Sequence, residues 1–246
     1  MKKRIISQET FKKKRKKWIS KFNKNLKIRN LSKKLFIEAD KNNYSYFYSW
    51  KGETFLQTAE DIITLQEIIY ELKPQTIIEV GVAWGGTLLF YDSLASTSNV
   101  KNIIGVDIYI PKDLKQRLKK KSVSNKITLI EGDSLKLNTL TKIKKVMKGN
   151  QRTLIHLDSN HTKSHVYNEL CEYSKFLKKD DIIIVGDTII DYIPKQKHRP
   201  RPWGKGNNPK NALEEFLRKN KKFKIVKEIS YKQLLSNNPN GYIKKI

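Results

Sequence analysis

The chain of 246 residues holds a single cysteine, Cys171. No intrachain disulfide and no cysteine-built metal cage can therefore form. Cys171 follows Leu170 in an apparent helix and reads as a small core residue. No apolar run approaches the roughly 18 residues that a membrane span needs. The basic N-terminus is not followed by the apolar stretch of a secretory signal, so the expected location is the cytoplasm. Acidic residues are scarce: 24 Asp and Glu stand against 51 Lys and Arg, a formal net charge of +27. An excess of that size invites a polyanionic partner. Lysine, however, far outnumbers arginine and is spread along the whole chain, and arginine is the better fork for phosphate. The charge reads as compositional and bears on solubility and association, not on fold. At 38% hydrophobic residues the chain is not wholly disordered. Its length suits one sizeable α/β domain with appendages.

Residues 1–50 form a basic amphipathic N-terminal extension, and residues 51–246 form the main domain. In the extension the basic run at 12–17 sits beside Trp18, Ile19, Phe22, Leu26, Leu31 and Leu35 at helical spacing. Such a helix packs on the domain, lies on a membrane surface or makes a subunit contact in a homo-oligomer. An aromatic piece at 44–50 ends near Gly52. Apolar positions at 62, 63, 65, 68, 69 and 72 mark a helix that Pro74 ends. Short apolar runs then alternate with helical stretches: 76–80, 102–107, 127–131, 153–158, 181–187 and 223–229. Weaker strand signals lie around 234–235 and 242–243. The alternation predicts a Rossmann-like α/β fold with a mostly parallel seven-stranded sheet. The last strands, with Asn237, Asn238, Pro239 and Gly241 between them, read as a C-terminal antiparallel hairpin. Residues 194–210 are rich in Pro and Gly, have no period, and read as a functional loop.

The strongest local signal is the stretch 79–87, EVGVAWGGT, between a strand and a helix. Gly81 permits a tight turn with backbone close to a ligand, and Gly85 and Gly86 keep the second half of the loop bare. The spacing is not GxGxxG, and no Gly-Lys-Ser/Thr closes a Walker A loop. Asp107 ends the second strand, where a carboxylate can accept ribose hydroxyls. Asp133 and Ser134 follow the third strand, where an adenine amino group can be met. Acidic residues at three successive strand ends surround the crevice in which open α/β sheets bind ligands. The cofactor site is therefore expected at Glu79, Gly81, Gly85, Gly86, Thr87, Asp107, Asp133 and Ser134.

With these residues in place the sequence resembles the class I S-adenosylmethionine (SAM)-dependent methyltransferases. More narrowly it resembles the cephalosporin hydroxylase family, which includes rhamnosyl O-methyltransferases. The resemblance is carried by 79–87, 105–109, LDSNHT at 157–162, His165-Val166, VGDTI at 185–189 and RPWGKGNNPK at 201–210. It runs from about Ser49 to the C-terminus. It implies SAM as cofactor and a metal, Mg²⁺, held by an Asp after the fourth strand and a Glu-Asp pair after the fifth. Asp158 and Asp187 match two of these ligands, and Gly186 stands where Glu is usual. It also implies a sugar hydroxyl as acceptor, in a bacterial polysaccharide or a glycosylated small molecule.

Methyl transfer from a sulfonium needs an acceptor oxygen held in line and relieved of its proton. A histidine titrates near neutrality and can take that proton. His161, three residues past Asp158, is the expected base, with Asp158 as its catalytic partner; His165 is second, and His198 in the loop can also reach the acceptor. His156, inside a strand, reads as structural. The His161/His165 spacing lacks the zincin glutamate, since Thr162 stands there. A nucleic-acid methyltransferase is a rival that the charge favours, but no Asn-Pro-Pro-Tyr-type motif follows the fourth strand, and nucleic acid is disfavoured as partner. A hydroxylase is disfavoured by the lack of a two-His-one-carboxylate iron site. A non-catalytic binding or scaffold protein on the same fold stays open because of Gly186.

Overall fold

The computed structural model describes residues 6–149, 151–197 and 199–246; His198 lies outside them. Two helices come first, α1 (Gln8–Asn23) and α2 (Leu26–Asp40), followed by a short hairpin of β1 (Ser49–Trp50) and β2 (Glu53–Thr54). Then come α3 (Ala59–Leu72), β3 (Thr76–Val80), α4 (Gly86–Ala95), β4 (Asn102–Asp107), α5 (Lys112–Lys121) and β5 (Ile127–Glu131). The second half holds α6 (Leu137–Met147), β6 (Thr153–Leu157), α7 (Lys163–Tyr173), β7 (Ile182–Val185), α8 (Pro209–Lys219), β8 (Phe223–Ile225), α9 (Lys227–Tyr231) and β9 (Tyr242–Lys245).

The element boundaries follow local chemistry. Thr58 caps α3 by accepting from the Asp61 amide, and Lys73 leaves the helix in the left-handed conformation just before Pro74. Asn208 caps α8 with Pro209 in the first turn. The central strands β3 and β6 are buried at every position, as parallel strands covered on both faces must be. The seven-stranded sheet runs β5-β4-β3-β6-β7-β9-β8, parallel except for β9. One core lies between the sheet and α3, α4 and α5, and the other between the sheet and α6, α7 and α8. The strand order reverses between β3 and β6, which opens a crevice at their C-terminal ends.

The antiparallel C-terminal pair is present, but it joins β9 to β8 and not to residues 234–235. Residues 227–231 are helical and not a continuation of β8. The stretch 232–241 is a loop whose side chains and backbone bond the buried carboxylate of Asp61. Strand-like apolar pairs such as Leu234-Leu235 were thus outweighed by a polar anchor. Cys171 is half-buried at the edge of the second core rather than inside it. The N-terminal extension docks on this C-terminal region: Arg29 donates to the carbonyls of Gln233 and Tyr231, and Ser32 to that of Leu234. No described helix is long and apolar enough to cross a membrane.

Candidate functional site

The crevice deepens into a cavity of about 940 Å³. Its wall includes Glu79, Gly81, Gly86 and Thr87 from the glycine loop, and Asp158, His161 and Asp187 from the ends of β6 and β7. Phe36, Asp40 and Tyr46 of the N-terminal extension close one side, and residues 193–197 and 199–205 close another.

The glycine loop is built by steric necessity. Gly81 has φ +99°, and a Cβ there would stand 2.2 Å from the Asp158 carbonyl oxygen. Only glycine lets the β3 loop lie against the end of β6, and this is what brings the loop beside Asp158. A Cβ on Gly86 would stand 2.2 Å from the Thr54 carbonyl oxygen, so the β1–β2 hairpin sits directly on the start of α4. Gly85 (φ +81°) faces Leu118 of α5 and serves packing. Asp107 stabilises the loop: its Oδ2 accepts from the Val82 amide at 2.8 Å and the Ala83 amide at 3.2 Å.

Glu79 is buried, and burial, helped by the charge of Asp158, pushes its carboxyl well above the usual range against a hydrogen bond from Thr87. Its Oε2 has no hydrogen-bond partner among the described residues. An orphaned, buried carboxylate oxygen in a cavity wall fits a cationic ligand group. Asp107 does not line the cavity, and neither do Asp133 and Ser134. Asp133 accepts from the Leu135 amide. Ser134, expected beside an adenine, is turned into a buried network instead, donating to Glu169 Oε1 at 2.6 Å. His165 and Ser159 bond the same carboxylate oxygen at 3.0 and 2.7 Å. That bond with Glu169 raises the His165 pKa, and His165 does not line the cavity.

The floor is the cluster of Asp158, His161 and Asp187, whose ligand atoms lie within 4.8 Å of one another. Burial, then the charge of Asp187, raises the Asp158 carboxyl well above the usual range. Burial also raises that of Asp187, against the attraction of His161. Several carboxylates pressed together in a chain of net charge +27 make a local site for a cation. His161 lines the same cavity: its Nε2 lies 3.4 Å from Asp187 Oδ2, and its ring meets Trp203 edge-on at 4.8 Å. His156 lies fully buried below, bonded to the Tyr91 hydroxyl, with its pKa driven down to about 4 by burial.

Sequence reading missed the residues that orient this floor. Gln57 donates to Asp158 Oδ2 at 3.0 Å and accepts from Asn238, whose Oδ1 accepts from the Asp187 amide at 2.9 Å. Neither carries a motif. Asn238 was legible only as part of a turn. Asp191 serves structure, accepting from Lys210 and Asn208 to hold the start of α8. Arg199 reaches across the cavity to both carboxylate oxygens of Asp40 at 2.8 Å and so ties the loop to α2.

The arrangement agrees with comparisons to known proteins. A family model described as Rhamnosyl O-methyltransferase/CmcI matches residues 42–246. The rhamnosyl O-methyltransferase of Mycobacterium leprae (strain TN) is 27% identical over 148 residues, which are 59% of this chain and 62% of that protein. The match therefore spans less than two thirds of that relative's length. CmcI solved with Mg and SAM superposes with a TM-score of 0.56 at 19% identity, covering 82% of this chain and 77% of that one. The apo structure of CmcI gives 0.57 at 20% identity over the same shares. At these identities the likeness is one of fold.

Proposed function

Because the chain belongs to the rhamnosyl O-methyltransferase/CmcI family, we propose that it is a SAM-dependent O-methyltransferase acting on a sugar hydroxyl. The observation that carries this reading is that one cavity joins the glycine loop after β3 to the Asp158/His161/Asp187 floor. A methyl donor seated on the loop would present its methyl group toward an acceptor resting on that floor.

The residues divide the work. Gly81 sets the loop against Asp158, Gly86 seats the β1–β2 hairpin on the start of α4, and the unpartnered Glu79 Oε2 faces a group of positive charge. Asp107 keeps the loop in shape through the Val82 and Ala83 amides. Asp158 and Asp187 hold a divalent cation, such as the Mg of the CmcI structure, with Gln57 and Asn238 orienting them. When bound, that ion lowers the pKa of a coordinated hydroxyl and helps to orient a diol. Tyr46 and Trp203 give the acceptor side aromatic surfaces suited to a sugar ring. In the transfer the acceptor oxygen gains the methyl carbon as the carbon–sulfur bond breaks and the thioether leaves, and the hydroxyl proton passes to the His161 imidazole beside Asp187.

A cytoplasmic setting belongs to the same proposal and accords with a single cysteine. Peripheral contact of α1 with an anionic surface belongs to it too, supported by the exposed Phe11 and Trp18 beside the basic run at 12–17. The test of the activity is incubation with methyl-labelled SAM and a panel of glycans, with and without chelator. Label in an acid-stable sugar methyl ether is the expected result. Label recovered in nucleic acid or in no acceptor would contradict it.

A further inference from the structure

Arginine is scarce in this chain, and two of its eight arginines, Arg199 and Arg201, stand within three residues on one wall of the cavity. Lys195, Lys197 and Lys205 line the same wall. Lysine scattered over the whole chain is compositional, but this placement gathers cations where an acceptor enters. Arg199 is already engaged, since it meets both carboxylate oxygens of Asp40 at 2.8 Å. Among the described residues, no carboxylate lies within ion-pair distance of Lys195, Lys197, Arg201 or Lys205. Arg201 is also held in place: its guanidinium carbon lies 5.4 Å from the centre of the Trp203 ring. The same indole meets the His161 ring at 4.8 Å. One aromatic ring therefore separates an unpaired guanidinium from the floor. Burial raises the Asp187 pKa, and the charges of His161, Arg199 and Arg201 oppose that rise, so both guanidiniums act on the floor. A guanidinium presents a planar fork matched to phosphate, and lysines beside it act as point charges for the same group. A cleft wall of one sign also draws in ligands of the other.

We propose that the acceptor is a phosphate-bearing sugar, with Arg201 as the residue that selects its phosphate and Lys195, Lys197 and Lys205 as supporting charges. A sugar ring seated along Trp203 with its hydroxyl on the floor brings a phosphate on that ring to Arg201. The inference rests on the methyltransferase reading and narrows its acceptor from any sugar hydroxyl to that of a sugar phosphate. A simple sugar phosphate and a nucleotide-activated sugar present the same phosphate oxygens to the fork.

The test begins with calorimetric titration of the full chain with SAM. Initial rates are then measured with methyl-labelled SAM and Mg²⁺ on matched sugars, each offered as the methyl glycoside, the 1-phosphate and the nucleoside diphosphate derivative. A phosphorylated form should have a KM at least about tenfold below that of the methyl glycoside, the scale of a charge-assisted hydrogen bond. Whichever phosphorylated form has the lower KM identifies the source, and either supports the proposal. Arg201→Gln should close most of the gap, raising the KM of the phosphorylated form far more than that of the glycoside and more than it lowers kcat. Arg201→Lys keeps the charge without the fork and should restore part of the gap. Lys144→Gln, on α6 and outside the cavity, should leave the gap as in the parent, which separates this site from the general attraction of a basic chain. Equal KM for glycoside and phosphorylated forms, or a gap that survives in Arg201→Gln, overturns the proposal while SAM binding and label transfer leave the methyltransferase reading standing. Where the parent neither binds SAM nor transfers label, that reading fails, and the phosphate site is judged by titration with inorganic pyrophosphate in metal-free buffer. The parent should then bind it at least about tenfold more tightly than Arg201→Gln, and equal affinities overturn the proposal.

Discussion

Gly81 and Gly186 occupy their positions because side chains there would strike Asp158. At Gly81 the obstacle is backbone and φ is +99°. Gly81→Ala should therefore cost about 1–3 kcal/mol from the backbone conformation alone, with the clash added. Urea denaturation should show that loss together with abolished SAM binding. At Gly186 the obstacle is the Asp158 carboxylate, which can rotate. Gly186→Ala should stay folded by circular dichroism yet bind a divalent cation at least about tenfold more weakly, as expected when a ligand's support is disturbed. Unchanged cation affinity in that variant would contradict the placement of Asp158 on the site. Residue types were the most legible part of the sequence here. The glycine loop, Asp158 and Asp187 announced themselves by pattern. Gln57 did not, because a glutamine before a helix cap has no signature, and its bond to Asp158 exists only once α3 packs beside β6.

The loop between α9 and β9 shows how one buried carboxylate organises an element. Asp61 accepts from Ser236, from the Asn237 amide and from Gln233, Thr58 and Tyr242, and so holds the turn that presents Asn238 to the floor. Burial, against these hydrogen bonds, raises its pKa to about 6 from an ordinary 3.8. A carboxyl whose folded pKa is raised contributes stability that is full below the unfolded value and is lost as pH rises through the folded one. Stability contributed by Asp61 should therefore fall between about pH 4 and pH 6. Urea unfolding across that window should show a smaller pH slope in Asp61→Asn than in the parent; equal slopes would contradict the assignment. The same anchor explains why strand reading failed at 234–235. Periodicity sees the two leucines, but register is set by the ties to Asp61 and to Glu60, which accepts the Leu234 and Leu235 amides. The parallel strands β3 to β7 were legible almost to the residue, because short apolar runs, buried throughout in β3, β6 and β7, leave few alternatives.

At the scale of the whole molecule, the cavity exists because distant parts of the chain meet over the sheet. The N-terminal extension supplies Phe36, Asp40 and Tyr46, and Arg199 clasps the 193–205 loop to Asp40. That closure was not legible: sequence marked the loop as functional but carried no sign of its partner on α2. Arg199→Ala should speed tryptic cleavage at Lys195, Lys197 and Lys205 and raise the KM for the acceptor more than it lowers kcat. A variant as protease-resistant as the parent would show that the clasp does not hold the loop. The central claim is that the loop after β3 and the acidic floor form one SAM-dependent site. Calorimetric titration of the full chain with SAM, in parent and Asp107→Ala, tests it most directly. The predicted result is saturable binding by the parent that weakens about tenfold or more once the charged partner of the Val82 and Ala83 amides is removed. No SAM binding by the parent, with or without a divalent cation, would contradict the account and leave a binding protein built on a methyltransferase fold.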